Sequence, residues 1–249
     1  MDKLSQSFLD SCRVDNGRIL RGENMTRIET FVDAAFAFVF TMLVISIDEI
    51  PKTTQELLLL SRDIPAFLLS AATIGSIWVA HTTWSRTFGL QDGITLFLSL
   101  GLVMLVLIFV YPIKLMIQLT VNYLSGVYLG APLGVGLGEM GLGDVADLFV
   151  YFALGLMALS GIIISLYQNS LRHRDELVLS EYEIFFCKRA TGMWLVVAAT
   201  ALLSCLGTLI FKDAAVPGAG LMYFALWILI PSVTYYLDRH SPIASSSKS

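Results

Sequence analysis

The chain has 249 residues, of which 56% are hydrophobic and 14% are charged, and its formal net charge is -4. Its mean hydropathy is +0.74. Soluble domains carry about 25% charged residues, so this composition excludes an ordinary water-soluble protein. The balance of charge also gives no support for nucleic-acid binding, and the 3 cysteines lack the spacing of a zinc site or a disulfide framework.

Apolar blocks recur along the chain, and each approaches the roughly 20 residues that a helix needs to cross a bilayer. They cover residues 31–47, 64–80, 94–113, 148–167, 190–211 and 214–236. The pattern predicts an all-α, polytopic membrane protein with six transmembrane helices. We expect one membrane domain over residues 27–239, between a cytoplasmic N-terminal segment, 1–26, and a C-terminal tail, 240–249. The last two blocks predict a tight helical hairpin with its turn at Lys212 and Asp213.

Basic residues are distributed unequally between the two sides of the predicted bundle. Of the 16 Lys and Arg residues, one side carries only Lys52, Arg62, Lys114 and Lys212. Positively charged loops stay in the cytoplasm, so both termini are predicted to be cytoplasmic.

The segments between the blocks carry weaker signals. Residues 122–147 contain glycines in a GxGxxG spacing, but no strand precedes them and they lie on the outer side, which favours a flexible loop over a dinucleotide site. Residues 172–189 alternate charged and apolar side chains, which predicts an amphipathic helix at the membrane interface. Lys114, near the outer end of the third block, is expected to extend its amine outward to water. Small residues in the fourth and fifth blocks indicate close helix packing: Gly155, Ser160, Gly161, Gly192, Ser204 and Gly207.

Polar residues inside the apolar blocks are costly and therefore informative. Asp33 lies near the start of the first block, and His81 lies at a similar depth after Trp78 at the end of the second. Arg27 is one to two turns below Asp33, within reach of its carboxylate. We predict that Arg27, Asp33 and His81 form a cluster. It is compatible either with a structural tie between two helices or with a proton relay or ion site.

The first block also presents a mostly apolar face. At 100° per residue, one side of the helix carries Ala34, Phe38, Thr41, Met42 and Ile45, while Asp33 points away from it. Such a row is compatible with contact to lipid or core, and with a pore lining that gates by dewetting. No enzyme motif such as HExxH or GxSxG accompanies it.

The start of the first block resembles the signature of the transmembrane protein 175 family. That signature places Phe-Ser-Asp-Ala after an arginine, followed by Phe-Ala-Ile and Thr-Leu-Leu. The matching residues are Arg27, Phe31, Asp33, Ala34, Phe36, Ala37, Thr41 and Leu43. Trp78 and His81 match the family's Trp-x-x-His, and Tyr111-Pro112-Ile113-Lys114 is similar to its Tyr-Pro-Leu-Arg. Val32 stands in place of the family's serine.

The resemblance implies a potassium-permeable channel of a bacterial plasma membrane, assembled as a homotetramer with the first helices around a central pore. It implies a constriction at Phe38, where the family has Ile or Leu, a hydroxyl ring at Thr41, and outer apolar rings at Met42 and Ile45. It further implies an inter-helix network of Arg27, Asp33, His81 and Trp78. Potassium ions, the lipid bilayer and further copies of the chain are the expected partners, and no cofactor is expected.

Two other functions are compatible with these residues. A proton-coupled secondary transporter would use Asp33 and His81 as its titrating pair. A non-conducting membrane scaffold would use Phe38 as a permanent plug.

Overall fold

The structure is a computed structural model, and it describes residues 3–24, 26–45, 51–130, 141–212, 218, 220, 222–223 and 225–239, with backbone alone at 45 and 227. Its elements in chain order are α1 (Gln6–Ser11), β1 (Val14–Asp15), β2 (Arg18–Ile19), α2 (Arg27–Ile45), α3 (Thr54–Ser61), α4 (Ile64–Phe88), α5 (Gly93–Leu129), α6 (Leu142–Arg172), α7 (Glu181–Phe211) and α8 (Leu226–Arg239). Within this part of the chain, α4, α5, α6 and α7 are long and apolar enough to cross a membrane. The protein is therefore a helical, multi-pass membrane protein.

One core runs through the bundle and is built from α2, α4, α5, α6 and α7. Its largest fully buried side chains include Trp84, Phe88, Leu43, Ile74, Leu102 and Ile163. Gly155 allows α5 and α6 to approach closely, because a Cβ at this position would lie 1.9 Å from Cε1 of Phe109. The Phe109 ring also stacks on Tyr151, with 4.9 Å between ring centroids. The prediction of close packing is thus confirmed at Gly155, whereas Gly161 faces open space.

The helices α4, α5, α6 and α7 are longer than the apolar blocks that predicted them. The expectation that the third span ends at residue 113 or a little beyond is wrong, since α5 continues through Pro112 to Leu129 and has 37 residues. At about 1.5 Å per residue it spans roughly 55 Å, well beyond a hydrocarbon core of about 30 Å. The flexible loop predicted for residues 122–147 is wrong at both ends, because residues 122–129 belong to α5 and residues 142–147 belong to α6. Its glycines 136 and 138 lie outside the described residues.

The amphipathic helix predicted for residues 172–189 is absent. The helix α6 ends at Arg172, a turn follows, and α7 begins at Glu181. Two local features explain the break: Val178 has a left-handed backbone, with φ of 53°, and Ser180 forms a capping box with Glu183 that starts a new helix. Leu177 is fully buried between the two helices.

The N-terminal segment folds onto one end of the bundle. β1 and β2 form a minimal antiparallel hairpin, an addition to the expected all-α fold. Its turn is Asn16-Gly17, with φ of 48° and 78°, as two-residue hairpins favour. The end of α8 reaches the same end of the bundle, since Nε of Arg189, near the start of α7, lies 3.4 Å from Oδ1 of Asp238. The antiparallel return predicted for the last helix is therefore confirmed, while its turn at Asp213 lies outside the described residues.

Candidate functional site

The helix α2 has a buried face and an exposed face. Val32, Phe36, Val39 and Leu43 recur every three or four residues, and all are buried against the neighbouring helices. Val32, at the position where the resemblance would place a serine, is part of this core and has no exposed surface. This packing fixes the rotation of α2 in the bundle.

We define the α2 stripe as the exposed residues on the opposite side of this helix. It comprises Arg27, Thr30, Phe31, Ala34, Ala37, Phe38, Thr41 and Val44. Phe38 is 56% exposed although it lies in the middle of an apolar helix. A continuous apolar stripe of this kind marks a surface that another element or lipid covers.

The sequence-predicted pore residues occupy different places relative to this stripe. Phe38 and Thr41 lie on it. Met42 is partly buried and packs against the core, so it lies at the edge of the stripe. The side chain of Ile45 lies outside the described part of the chain.

The hydroxyl of Thr41 has a defined orientation. Its Oγ1 donates a hydrogen bond to the carbonyl oxygen of Ala37 at 3.0 Å. The proton is therefore directed at the backbone, and the remaining lone pairs of the oxygen are available to accept a hydrogen bond or to coordinate a cation.

The predicted polar cluster is divided between separate contacts. Trp78 Nε1 donates to Oδ1 of Asp33 at 2.8 Å and so ties α4 to α2. His81 instead lies 3.0 Å from the hydroxyl of Ser99 on α5. Arg27 is exposed and forms no ion pair with any residue that the structure describes. The four-residue network is thus corrected to an Asp33–Trp78 pair and a His81–Ser99 pair, because α4 turns the indole and the imidazole toward different neighbours.

A second tie between α2 and α4 was missed by the sequence reasoning. Glu29 is buried, accepts a hydrogen bond from the hydroxyl of Ser85, and also accepts one from the backbone N–H of Thr26 at 2.8 Å. The Thr26-x-x-Glu29 spacing is a capping-box pattern that marks the start of α2. The sequence therefore carried a signal for the local cap, but none for the partner on α4.

Further polar ties hold the other helices. Trp84 Nε1 on α4 donates to the hydroxyl of Ser170 on α6 at 2.9 Å. Lys114, expected to reach outward, is only 7% exposed. Its amine lies 3.6 Å from Oδ2 of Asp63, whose Oδ1 accepts from Gln118 at 2.7 Å. The outward extension is wrong because this carboxylate, just before α4, gives the ammonium a partner inside the protein.

Among the described residues, the most deeply buried ion pair is also one that the sequence did not reveal. Arg21 donates through both terminal nitrogens to Glu183, at 2.7 and 2.9 Å. Arg21 and Glu183 are 162 residues apart, and no spacing rule connects such positions. Among the described residues, no group of three or more His, Cys, Asp or Glu side chains is placed to hold a metal ion.

Three comparisons with known proteins bear on this arrangement. The family model described as "Endosomal/lysosomal potassium channel TMEM175" matches residues 27–112, which include α2 and α4. A protein of Marivirga tractuosa named "Potassium channel" is 34% identical over 196 residues, which cover 76% of this chain and 77% of that protein. A crystal structure of a variant of the potassium channel MtTMEM175, in complex with a Nanobody-MBP fusion protein, is similar with a TM-score of 0.76 and 30% identity. The similarity covers 94% of this chain and 99% of that one.

Proposed function

Because the chain belongs to the TMEM175 family of potassium channels, we propose that it is a potassium-permeable channel in which the α2 stripe lines the pore. The observation that carries the proposal is the exposure of Phe38 and Thr41 on α2, within the segment that the family model matches. The opposite face of α2 is committed to the core. Only the stripe is therefore free to face a central axis.

The assembly that this proposal requires is a homotetramer with four α2 helices around the axis. Copies of Phe38 then form an apolar ring, which narrows the path and opposes wetting. Thr41 lies about 4.5 Å further along the helix, where its outward lone pairs replace part of the water around a cation. At 100° per residue, the sequence spacing assigns Ile45 to the next ring, and Met42 supports the ring from the edge of the stripe.

Selectivity in this pore arises from partial dehydration. A potassium ion passes the Phe38 ring with few protein oxygens to replace its water, and the π faces of phenyl rings attract cations. Potassium holds its water less tightly than sodium does, so the constriction favours potassium without a carbonyl filter. The preference is weak because Thr41 supplies only one oxygen per subunit.

We further propose six spans with both termini in the cytoplasm of a bacterial cell, the protein lying in the plasma membrane. The N-terminal hairpin and the end of α8 both contact the first turns of α7, which supports an even number of crossings. Most Lys and Arg residues also belong to this end, as the positive-inside rule requires of a cytoplasmic side.

The test is a potassium flux assay on the purified protein in liposomes, with sodium substitution. Wild type is compared with Phe38→Ala and with the control Phe97→Ala, which removes an equally large ring that is 76% exposed on α5. We expect Phe38→Ala to enlarge the flux and reduce the preference for potassium, and Phe97→Ala to match wild type.

Two results would contradict the proposal and favour the other functions. If folded wild type and Phe38→Ala both fail to conduct, the protein is better described as a scaffold. If uptake depends on a proton gradient, is abolished by Asp33→Asn and is unaffected by Phe38→Ala, it is a coupled transporter. The separation of Asp33 and His81 into different hydrogen bonds gives the transporter no direct titrating pair.

A further inference from the structure

A cavity of about 220 Å³ lies between the N-terminal hairpin and the last three turns of α4. Its lining residues are Asp15, Arg18, Leu20, Trp78, Val79, Thr82, Thr83, Arg86 and Thr87. The cavity shares Trp78 with the Trp78–Asp33 contact, but none of its lining residues belongs to the α2 stripe.

The chemistry of the lining changes along α4. Val79 and the indole of Trp78 make one end apolar, Thr82 and Thr83 follow, and Arg86 lies at the other end. At 1.5 Å per residue, positions 79 and 86 are about 10 Å apart along the helix axis. The cavity thus passes from apolar to hydroxyl-bearing to cationic over a distance comparable to the headgroup layer of one leaflet, about 5 to 8 Å.

At the cationic end of the cavity, the guanidinium groups have N–H donors available for a ligand. Nη2 of Arg86 lies 3.9 Å from Oε1 of Glu23, at the long limit of an ion pair, and the side chain is 49% exposed. Arg18 is held in place by Asp15 at 3.1 Å and by the ring of Phe186, 4.9 Å from its guanidinium carbon. A guanidinium has five N–H donors, so both arginines retain donors for an anion after these contacts.

The threonine hydroxyls of the cavity are also suited to an anionic ligand. Thr87 donates to the carbonyl oxygen of Thr83 at 2.7 Å. The hydroxyls of Thr82 and Thr83 make no hydrogen bond to any other residue that the structure describes, and both line the cavity. They are free to donate to the oxygens of a bound group.

The end of α4 does not repel an anion as a bare helix terminus would. The backbone N–H groups of Gly22 and Arg21 donate to the carbonyl oxygens of Arg86, at 3.0 Å, and Thr87, at 3.4 Å. The N-terminal segment thus satisfies carbonyls that would otherwise present negative charge to the cavity.

We propose that this cavity binds the phosphate of an anionic phospholipid. The phosphate lies between Arg18 and Arg86, and the first carbons of an acyl chain pack against Val79 and Trp78. A free phosphate ion offers the same charge but uses only the polar half of the cavity. The apolar half and the position at the end of a membrane helix favour the lipid. The anionic lipids of the cytoplasmic leaflet also attract basic residues that lie near the membrane surface.

The experiment measures lipid retained by the full chain in detergent, using native mass spectrometry with phosphatidylglycerol and, separately, phosphatidylcholine. We expect wild type to prefer phosphatidylglycerol and Arg86→Gln to lose roughly ten-fold in affinity for it, the scale of a charge-assisted hydrogen bond. The control is Arg174→Gln, which removes an exposed guanidinium outside the cavity and is expected to bind as wild type does. Thr82→Val serves as a second cavity variant, with a smaller loss expected, if Arg86→Gln does not fold.

Unchanged phosphatidylglycerol affinity in the folded cavity variants would overturn the proposal, as would equal retention of the two lipids by wild type. Displacement of the lipid by an equal concentration of inorganic phosphate would assign the cavity to a soluble anion instead. None of these measurements involves ion flux, so their outcome is independent of the proposed channel function.

Discussion

Arg21 and Glu183 form an ion pair that is sealed from solvent, with their side chains 1% and 0% exposed. Arg21 also donates through Nε to the carbonyl oxygen of Leu177 at 2.9 Å. Glu183 accepts from the backbone N–H groups of Ile19 and Ser180, each at 2.9 Å. The pair therefore joins the N-terminal hairpin to the turn between α6 and α7, with every charge hydrogen-bonded.

Removing one partner of this pair should be strongly destabilising. Arg21→Met leaves the Glu183 carboxylate buried without its cation, and we expect a loss of about 3 to 5 kcal/mol in the free energy of unfolding. Denaturant unfolding of the purified protein, followed by tryptophan fluorescence, measures it. Arg174→Gln, which breaks only an exposed contact to Asp175, should cost about 0 to 1 kcal/mol. Equal losses in the two variants would show that the buried pair is not a structural tie.

The free energy of unfolding should show stronger coupling between Asp33 and Trp78 than between Asp33 and His81. In a double-mutant cycle with Asp33→Ala, Trp78→Phe should show an interaction energy of about 0.5 to 3 kcal/mol, since the indole donates directly to the carboxylate. His81→Ala should couple less, because the imidazole is bonded to Ser99. Thermal unfolding of the single and double variants provides the comparison, and the reverse order would restore the network that the sequence predicted.

Close packing at Gly155 should not tolerate a methyl group. Gly155→Ala directs its Cβ into the ring of Phe109, and overpacking of this kind costs about 1 to 3 kcal/mol. The matched control is Gly161→Ala on the same helix, where nothing lies within 4 Å of the added atom. We expect a lower melting temperature for Gly155→Ala only. A partial return of stability in Gly155→Ala combined with Phe109→Leu would identify the ring as the cause.

Stability should depend on the ionisation of Asp92, which precedes α5. Burial opposes its charge, but hydrogen bonds from Thr95 and Asn169 outweigh burial and lower the pKa of Asp92 below its ordinary value of 3.8. A carboxyl whose pKa is lowered by folding stabilises the protein above its unfolded pKa, and the contribution is lost as the pH falls through the folded pKa. We therefore expect Asp92→Asn to melt below wild type at pH 7 and the gap to narrow below about pH 4.

Asp175→Asn is the control for this pH dependence, because that side chain is 91% exposed and should leave melting unchanged at both pH values. A gap between Asp92→Asn and wild type that stays constant from pH 7 to pH 3 would exclude the carboxylate as its origin.

Several structural features of this protein follow from short stretches of its sequence. Four of the apolar blocks correspond to helices long enough to cross a membrane in the described part of the chain, because a bilayer demands long runs of apolar residues whatever surrounds them. The motif residues of α2 and α4 identified the family, and Asn16-Gly17 and Thr26-x-x-Glu29 are local turn and cap patterns that need no distant partner. Local patterns did not suffice everywhere, since the alternation of charged and apolar residues over 172–189 predicted a helix where the chain turns instead.

Only the tertiary structure decided how the polar groups are paired. Asp33 accepts a hydrogen bond from Trp78 rather than pairing with Arg27. Lys114 pairs with Asp63 inside the protein. Arg21 pairs with Glu183, which is distant in the sequence. Each choice depends on the rotation and length of helices packed against one another, which no periodicity specifies. The physical reason is that a buried charge must find whichever partner packing brings within about 3 Å, and packing is a property of the whole bundle.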